Sequence, residues 1–428
     1  MYTLFIGDQD KIPLKTLSIT TDYLEYSHGD FWYGCLDGDD DFLAEVAIGR
    51  FSTNTLSDFQ KMVNKTITYE RFYNGNSKNV LLVAHMQEPN NEDFYQACSD
   101  TIRNRYSDIM SFSTAYGASG ATNSDVINYI NNGMNIVNYN GHGNQFSWTT
   151  WNTSLENFGS TQIGSMYSPS IFITTGCENG DIRAEPCMME MLSRSTTGAV
   201  ACLAAVDNVW RTACNKYDQQ LFSHLLIGHY RYLGDLNLMA QVSTIGNYYY
   251  IDEIMKNKAL FNAQSFLCGG DPTLRLWTSG PYSLTNSDVH ISFYDDYISL
   301  SVIPFAEYEM SIVSELGELL ERIKVYSHSK LFSIPSGNFY VVINKPDYYP
   351  YIIFFSSSNY IQNETIYANS FYYYNNTPLS IGYNVTPNKP YGNVTVKSGS
   401  KLSIHNGTGG VTISNGFECE KGGELIIE

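Results

Sequence analysis

Basic side chains are scarce: 25 Lys and Arg stand against 43 Asp and Glu, a net charge of −18. A surface of that sign repels phosphate backbones and anionic membranes, which argues against nucleic acid as a partner. Long apolar runs are missing too. The longest, residues 198–206 (GAVACLAAV), is far too short to span a bilayer, so no transmembrane segment is expected. None of the eight cysteines forms a Cys-x-x-Cys pair, which removes the usual zinc and redox motifs. Seven of them precede residue 270 in mostly apolar surroundings, the setting of free packing thiols rather than of a disulfide framework. No signal peptide opens the chain: Met1-Tyr-Thr-Leu-Phe-Ile runs straight into a strand pattern. A cytosolic protein or a trimmed secreted one would both begin so, and we expect the second.

What is present is apolar and aromatic. With 43% hydrophobic and 16% charged residues, 428 residues build large cores and two or three domains. Tyr is abundant at 34 residues and crowds the last third together with Asn, as at Tyr372-Tyr-Tyr-Asn-Asn376, a composition common in β-rich extracellular proteins.

The first 279 residues alternate short apolar runs with helical patterns. Strands are expected at 4–7, 44–48, 80–85, 135–139, 170–175 and 199–206, and helices at 91–105, 125–131, 186–194, 215–226 and 235–258. Continuous apolar strands alternating with helices predict an α/β domain with a mostly parallel sheet and helices on both faces. After Gly280-Pro281 the period changes to two, and strands at 289–293, 298–302, 307–313, 321–326, 330–334 and 337–344 predict an Ig-like sandwich over 280–356. Over 357–428, very short strands separated by Gly and Asn predict a repetitive, solenoid-like β module.

Two apolar strands end in chemistry. Ile136-Val-Asn-Tyr-Asn runs into Gly141-His142-Gly143, and Ile171-Phe-Ile-Thr-Thr runs into Gly176-Cys177. The interval between them suits one crossover, which delivers His142 and Cys177 side by side at the carboxyl ends of neighbouring parallel strands. There a thiolate can attack and an imidazole can protonate the leaving group. Gly141, Gly143 and Gly176 allow close backbone approach to a substrate and leave N–H groups for an oxyanion. Each half has a plainer reading, as a buried core thiol and a turn histidine.

Tyr139-Asn-Gly-His-Gly and Thr174-Thr-Gly-Cys-Glu-Asn-Gly-Asp resemble the His and Cys motifs of the gingipain-type cysteine peptidases of the caspase-like clan. Phe5-Ile-Gly-Asp-Gln-Asp-Lys-Ile-Pro13, Glu45-Val-Ala-Ile-Gly-Arg50, Asp207-Asn-Val-Trp210 and Cys268-Gly-Gly-Asp-Pro-Thr-Leu-Arg275 resemble further blocks of that family, in order. The resemblance implies a secreted or cell-surface cysteine endopeptidase acting on protein or peptide substrates, with Cys177 as nucleophile and His142 as general acid/base. It implies an oxyanion hole at the N–H groups of Gly143 and Cys177, and the strand-end loop holding Trp210 as a wall of the S1 pocket. The family's leading α/β subdomain would precede the block that opens here at Tyr2.

Three acidic features keep two readings each. Asp22 either orients His142, as the resemblance implies, or is a helix N-cap or turn residue. Asp207 either attracts a basic P1 side chain or serves the surface. The run Asp37-Gly-Asp-Asp-Asp41 either holds structural calcium or is a solvated turn, and no cofactor is expected to be required. Two rival functions share these residues: a catalytically silent, peptidase-like binding protein, and a transpeptidase using the same dyad.

Overall fold

The structure is a computed structural model, and it describes all residues except 39–40, 74, 87–94, 168, 184–185, 286, 295, 304–306, 368 and 374–376. Two units divide the chain, Met1–Gly280 and Pro281–Glu428.

The first unit opens with strands β1 (Tyr2–Ile6), β2 (Lys15–Ser18), β3 (Tyr26–Gly29) and β4 (Ala47–Phe51), then helix α1 (Leu56–Phe72) and β5 (Asn76–Ala84). Helix α2 (Tyr95–Tyr106), β6 (Ser111–Tyr116), α3 (Asn123–Asn131) and β7 (Met134–Asn140) follow. Next come the two-residue strands β8 (Gly143–Asn144), β9 (Ser147–Trp148) and β10 (Phe158–Gly159), then α4 (Ser160–Ile163) and β11 (Ser170–Thr174). Helix α5 (Met188–Arg194), β12 (Ala199–Ala205), α6 (Arg211–Leu226), α7 (Leu233–Tyr248), α8 (Glu253–Ser265) and β13 (Phe266–Gly269) complete the unit.

Six strands form the central sheet in the order β13-β12-β11-β7-β5-β6. All neighbours are parallel except β13, which runs antiparallel to β12. Every residue of β7, β11 and β12 is buried, because helices cover both faces. Alternation sorts the two sides. Val137, Tyr139 and Phe172 point into one core with Val126 and Ile130 of α3 and Leu192 of α5. Asn138 and Asn140 point the other way, to Asp218 of α6.

Several expectations shift. The strands expected at 4–7 and 44–48 form a parallel pair of their own, β1 with β4, outside the central sheet. Strand β6 was not anticipated, since SFSTAY carries no apolar run. Helix α1 was also unanticipated, although Thr55 accepts from the Asp58 N–H as a side-chain N-cap. The helix expected over 235–258 is two helices. The chain turns at Tyr249 to Ile251, and Asp252, in an extended conformation, caps α8 by accepting from the Met255 N–H. Part of the helix expected at 91–105 lies outside the described residues.

In the second unit, Val289–Phe293, Tyr297–Val302 and Ser329–Ser333 form one antiparallel sheet. Leu319–Val325, Tyr308–Ser314, Phe339–Asn344 and Tyr351–Ser356 form another, and both sheets contribute to one core that includes Leu300, Met310, Val341 and Ile353. Beyond residue 356 the strand pairs among the described residues are all parallel. Tyr351–Ser356 pairs onward to Asn369–Tyr373, Lys401–His405 and Glu424–Ile427, so that sheet continues across the expected boundary at 356. Two further stacks, Tyr360–Ile361 with Leu379–Ile381 and Val411–Ile413, and Glu364–Ile366 with Val394–Val396 and Phe417–Cys419, surround a small core of Ile361, Ile366, Leu379, Ile381, Val394 and Leu402. Among the described residues no helix follows residue 280.

Candidate active site

Strands β7 and β11 pair in parallel, with Val137 opposite Phe172 and Tyr139 opposite Thr174, and carry His142 and Cys177 just past their carboxyl ends. The two loops touch. A Cβ added to Gly143 would stand 2.8 Å from the Cys177 carbonyl oxygen, and one on Gly141 would stand 2.7 Å from the His85 Cβ. Glycine at these positions is therefore what lets the histidine loop lie against its neighbours. The buried Asn179 locks the contact: its Nδ2 donates to the Asn144 and Ser147 carbonyls at 2.6 and 3.1 Å, and its Oδ1 accepts from Thr174 Oγ1 at 2.6 Å. Glu178, next to the thiol, has φ 59°, a left-handed conformation that is strained for a non-glycine residue and turns the chain sharply after Cys177.

A cavity of about 390 Å³ opens over this junction, lined by Tyr95, Gly141, His142, Thr175, Cys177, Val209, Arg211, Cys214 and Asn215. The Cys177 thiol is half-buried, and burial pushes its pKa up; the Val209 N–H, 3.5 Å from Sγ, pulls it down, and Glu178 pushes it up again. Burial thus favours the thiol over the thiolate, and a base must take its proton. His142 stands among aromatic rings. The Tyr95 hydroxyl is 3.4 Å from its Nε2, and the His85 ring lies edge-on with centroids 5.0 Å apart. His85 itself is buried, and that burial, with His142 beside it, lowers its pKa to about 4. The Tyr139 hydroxyl and the Thr149 N–H both donate to the His142 carbonyl, at 2.8 and 3.1 Å, which fixes the loop.

The structure brings together Cys177, His142, Gly141, Gly143 and Gly176, and sends the acidic candidates elsewhere. Asp22 pairs with Lys258 Nζ at 2.6 Å and does not orient His142. Lys258 lies 4.3 Å from the centroid of Trp210, whose other neighbour, Tyr23, stacks at 5.8 Å. Asp22 therefore supports Trp210, and it is Val209 and Arg211, on either side of Trp210, that line the cavity. Asp207 is nearly buried: one oxygen accepts the His28 N–H at 2.7 Å, and the other lies 3.1 Å from Arg183 and 2.9 Å from His28 Nδ1. Both oxygens are engaged within the protein, so Asp207 is not free to attract a basic side chain.

Asp37, Asp41 and Glu45 bring carboxylate oxygens within 4.8 Å of one another, while Asp39 and Asp40 of the expected run lie outside the described residues. Asp41 and Glu45 accept backbone N–H groups of Asp37, Leu43 and Leu36, the pattern of a self-capping acidic turn. All eight cysteines are free thiols. Sequence reasoning missed Tyr95, His85, Arg211 and Asp218, which sit on other elements with no motif to mark them.

Residues 1–277 match the profile of Peptidase family C25. Gingipain R2 and gingipain R1 of Porphyromonas gingivalis are each 31% identical to the chain over an alignment of 241 positions that covers 51% of the chain. The match covers only 30% and 22% of those relatives, so the chain spans less than a third of their length. A crystal structure of the Arg-specific cysteine proteinase gingipain R superposes with a TM-score of 0.69 at 20% identity, covering 83% of both chains. A complex of the pro- and mature domains of RgpB from the same bacterium gives the same TM-score. The parallel sheet with its strand-end His142 and Cys177 is a caspase-like fold, and the chain belongs to peptidase family C25.

Proposed function

We propose that the protein is a cysteine endopeptidase that hydrolyses peptide bonds with Cys177 and His142. The observation that carries this reading is that adjacent parallel strands aim an imidazole and a half-buried thiol into one cavity. His142 takes the Cys177 proton as Sγ attacks the scissile carbonyl, and the tetrahedral oxyanion is met by the N–H groups of Gly143 and Cys177. The imidazolium then protonates the departing amine and leaves a thioester. Water, deprotonated by His142, attacks the thioester and returns the thiol. No step draws on a metal or a cofactor.

The substrate class is protein or peptide, and a secreted or cell-surface location goes with it on the strength of the family likeness. Among the described residues, no helix is long and apolar enough to cross a membrane. A preference for a basic P1 residue is supported only as far as Arg, by the likeness to an Arg-specific proteinase, because Asp207 is already engaged by His28 and Arg183.

The test is turnover of a fluorogenic peptide library under reducing conditions. Cys177→Ala and His142→Ala are each expected to lower kcat at least about a thousandfold. Absent turnover by wild type and Cys177→Ala alike would sink the peptidase reading.

A further inference from the structure

Under the dyad lies a carboxylate that the catalytic cycle does not use. Asp218, in the third turn of α6, is fully buried and has no ion-pair partner among the described residues. Two amides hold it instead: Asn138 Nδ2 donates to Oδ1 and Asn140 Nδ2 to Oδ2, each at 2.6 Å. Cys98 of α2 adds a weak thiol contact at 3.9 Å. Asn140 then passes the connection on, since its Oδ1 accepts from Thr175 Oγ1 at 3.1 Å. Asn140 stands two residues before His142, and Thr175 two residues before Cys177. Arg211, Cys214 and Asn215, which line the cavity, lie on the first turns of the same helix as Asp218.

We propose that Asp218 is a positioning residue of the dyad: through Asn140 and Thr175 its carboxylate sets the spacing of the His142 and Cys177 strand ends and ties both to the helix that walls the substrate cavity. This role rests on the Cys–His peptidase reading. Burying a carboxylate without a cation is costly, and an apolar residue in its place would leave two amide donors unmet. Burial raises the Asp218 pKa to about 6, and the two asparagines hold it down. Cys98, Cys214 and Tyr217 are the titratable groups that feel its charge. A strand-end shift of one ångström can cost about a hundredfold in rate, so a small loosening here is readable in kcat.

The experiment compares the full-length wild type, Asp218→Asn, and the exchanged pair Asn140→Asp with Asp218→Asn. The single variant sets two amide donors against each other. The exchanged pair restores a carboxylate–amide contact and keeps an acceptor for Thr175. Two quantities are measured: kcat and KM on a cleaved peptide, and the rate of Cys177 alkylation by iodoacetamide from about pH 5 to 9, read by mass spectrometry. Asp218→Asn is expected to lower kcat about tenfold or more with KM within about twofold, and to lose the neutral-pH alkylation that depends on His142. The exchanged pair is expected to recover most of both. A wild-type kcat and alkylation profile in Asp218→Asn would overturn the proposal. So would an exchanged pair that melts like wild type yet performs no better than the single variant. If the Asp218 variants do not fold, Thr175→Val, which removes the hydroxyl's contacts with Asn140 and with the Tyr139 carbonyl, takes their place, with Thr175→Ser, which keeps the hydroxyl, as its control. A fall in kcat and in neutral-pH alkylation that the serine variant does not share supports the proposal, and wild-type values in the valine variant, or an equal fall in the serine variant, overturn it. Should wild type cleave no peptide, the peptidase reading falls, while the alkylation profile, which needs no substrate, still decides the role of Asp218.

Discussion

His85 shows how one buried side chain writes a pH dependence into the site. Its folded pKa, about 4, lies below the ordinary value near 6.5 for an unfolded histidine. Between those values the unfolded chain binds the proton and the folded chain does not. Its contribution to stability is therefore complete above about pH 6.5 and is lost as the pH falls toward 4. His85→Gln should show a smaller loss of urea stability than wild type between about pH 7 and 5, and an unchanged pH dependence would refute this. The comparison must be a difference between the two proteins, because Glu190, raised to about 7 by burial, and Asp218 change stability in the opposite direction over part of that range. At this scale the placement of Cys177 and His142 at adjacent strand ends was legible, because flanking glycines and the strands that run into them mark both positions. It was not legible for Asp22 and Asp207, whose partners Lys258, His28 and Arg183 come from distant segments. A carboxylate's role depends on which cation reaches it, and no local pattern encodes that.

Among elements, the histidine strand and the β8–β10 ribbon share one aromatic stack. Trp148 is fully buried between Tyr139 at 4.2 Å and Phe158 at 4.6 Å, and its Nε1 donates to Thr174 Oγ1 at 3.2 Å. Trp148→Ala should cost about 3–5 kcal/mol of unfolding free energy, read from urea titration, because it leaves a large cavity. A loss below about 1 kcal/mol would mean that the strands hold their positions without the stack. Strands β11 and β12 were readable because burial on both faces leaves a near-continuous apolar run, and β7 by its Ile136-Val137 pair and Tyr139 between buried asparagines. Strand β6 was not, since SFSTAY is half-buried and apolar only in part. The division of α7 from α8 was missed because Tyr249-Tyr250-Ile251 is apolar enough to continue a helix, and only the Asp252 cap marks a new start.

Across the whole molecule, the change of period after Gly280 was the clearest signal in the sequence, and the division between the units falls there. Each unit has cores of its own. Scanning calorimetry of Cys177→Ala, which removes the proposed nucleophile, should resolve two transitions; one cooperative transition with matching van't Hoff and calorimetric enthalpies would refute independent units.

The placement of β7 and β11 in the middle of a six-stranded sheet has one more consequence. Their amides have partners on both sides and no edge from which to fray, so they should be among the slowest in the chain to exchange with deuterium. The geometry that joins His142 to Cys177 then opens only when the first unit opens as a whole. Heat should extinguish activity at the unfolding temperature of that unit, not below it.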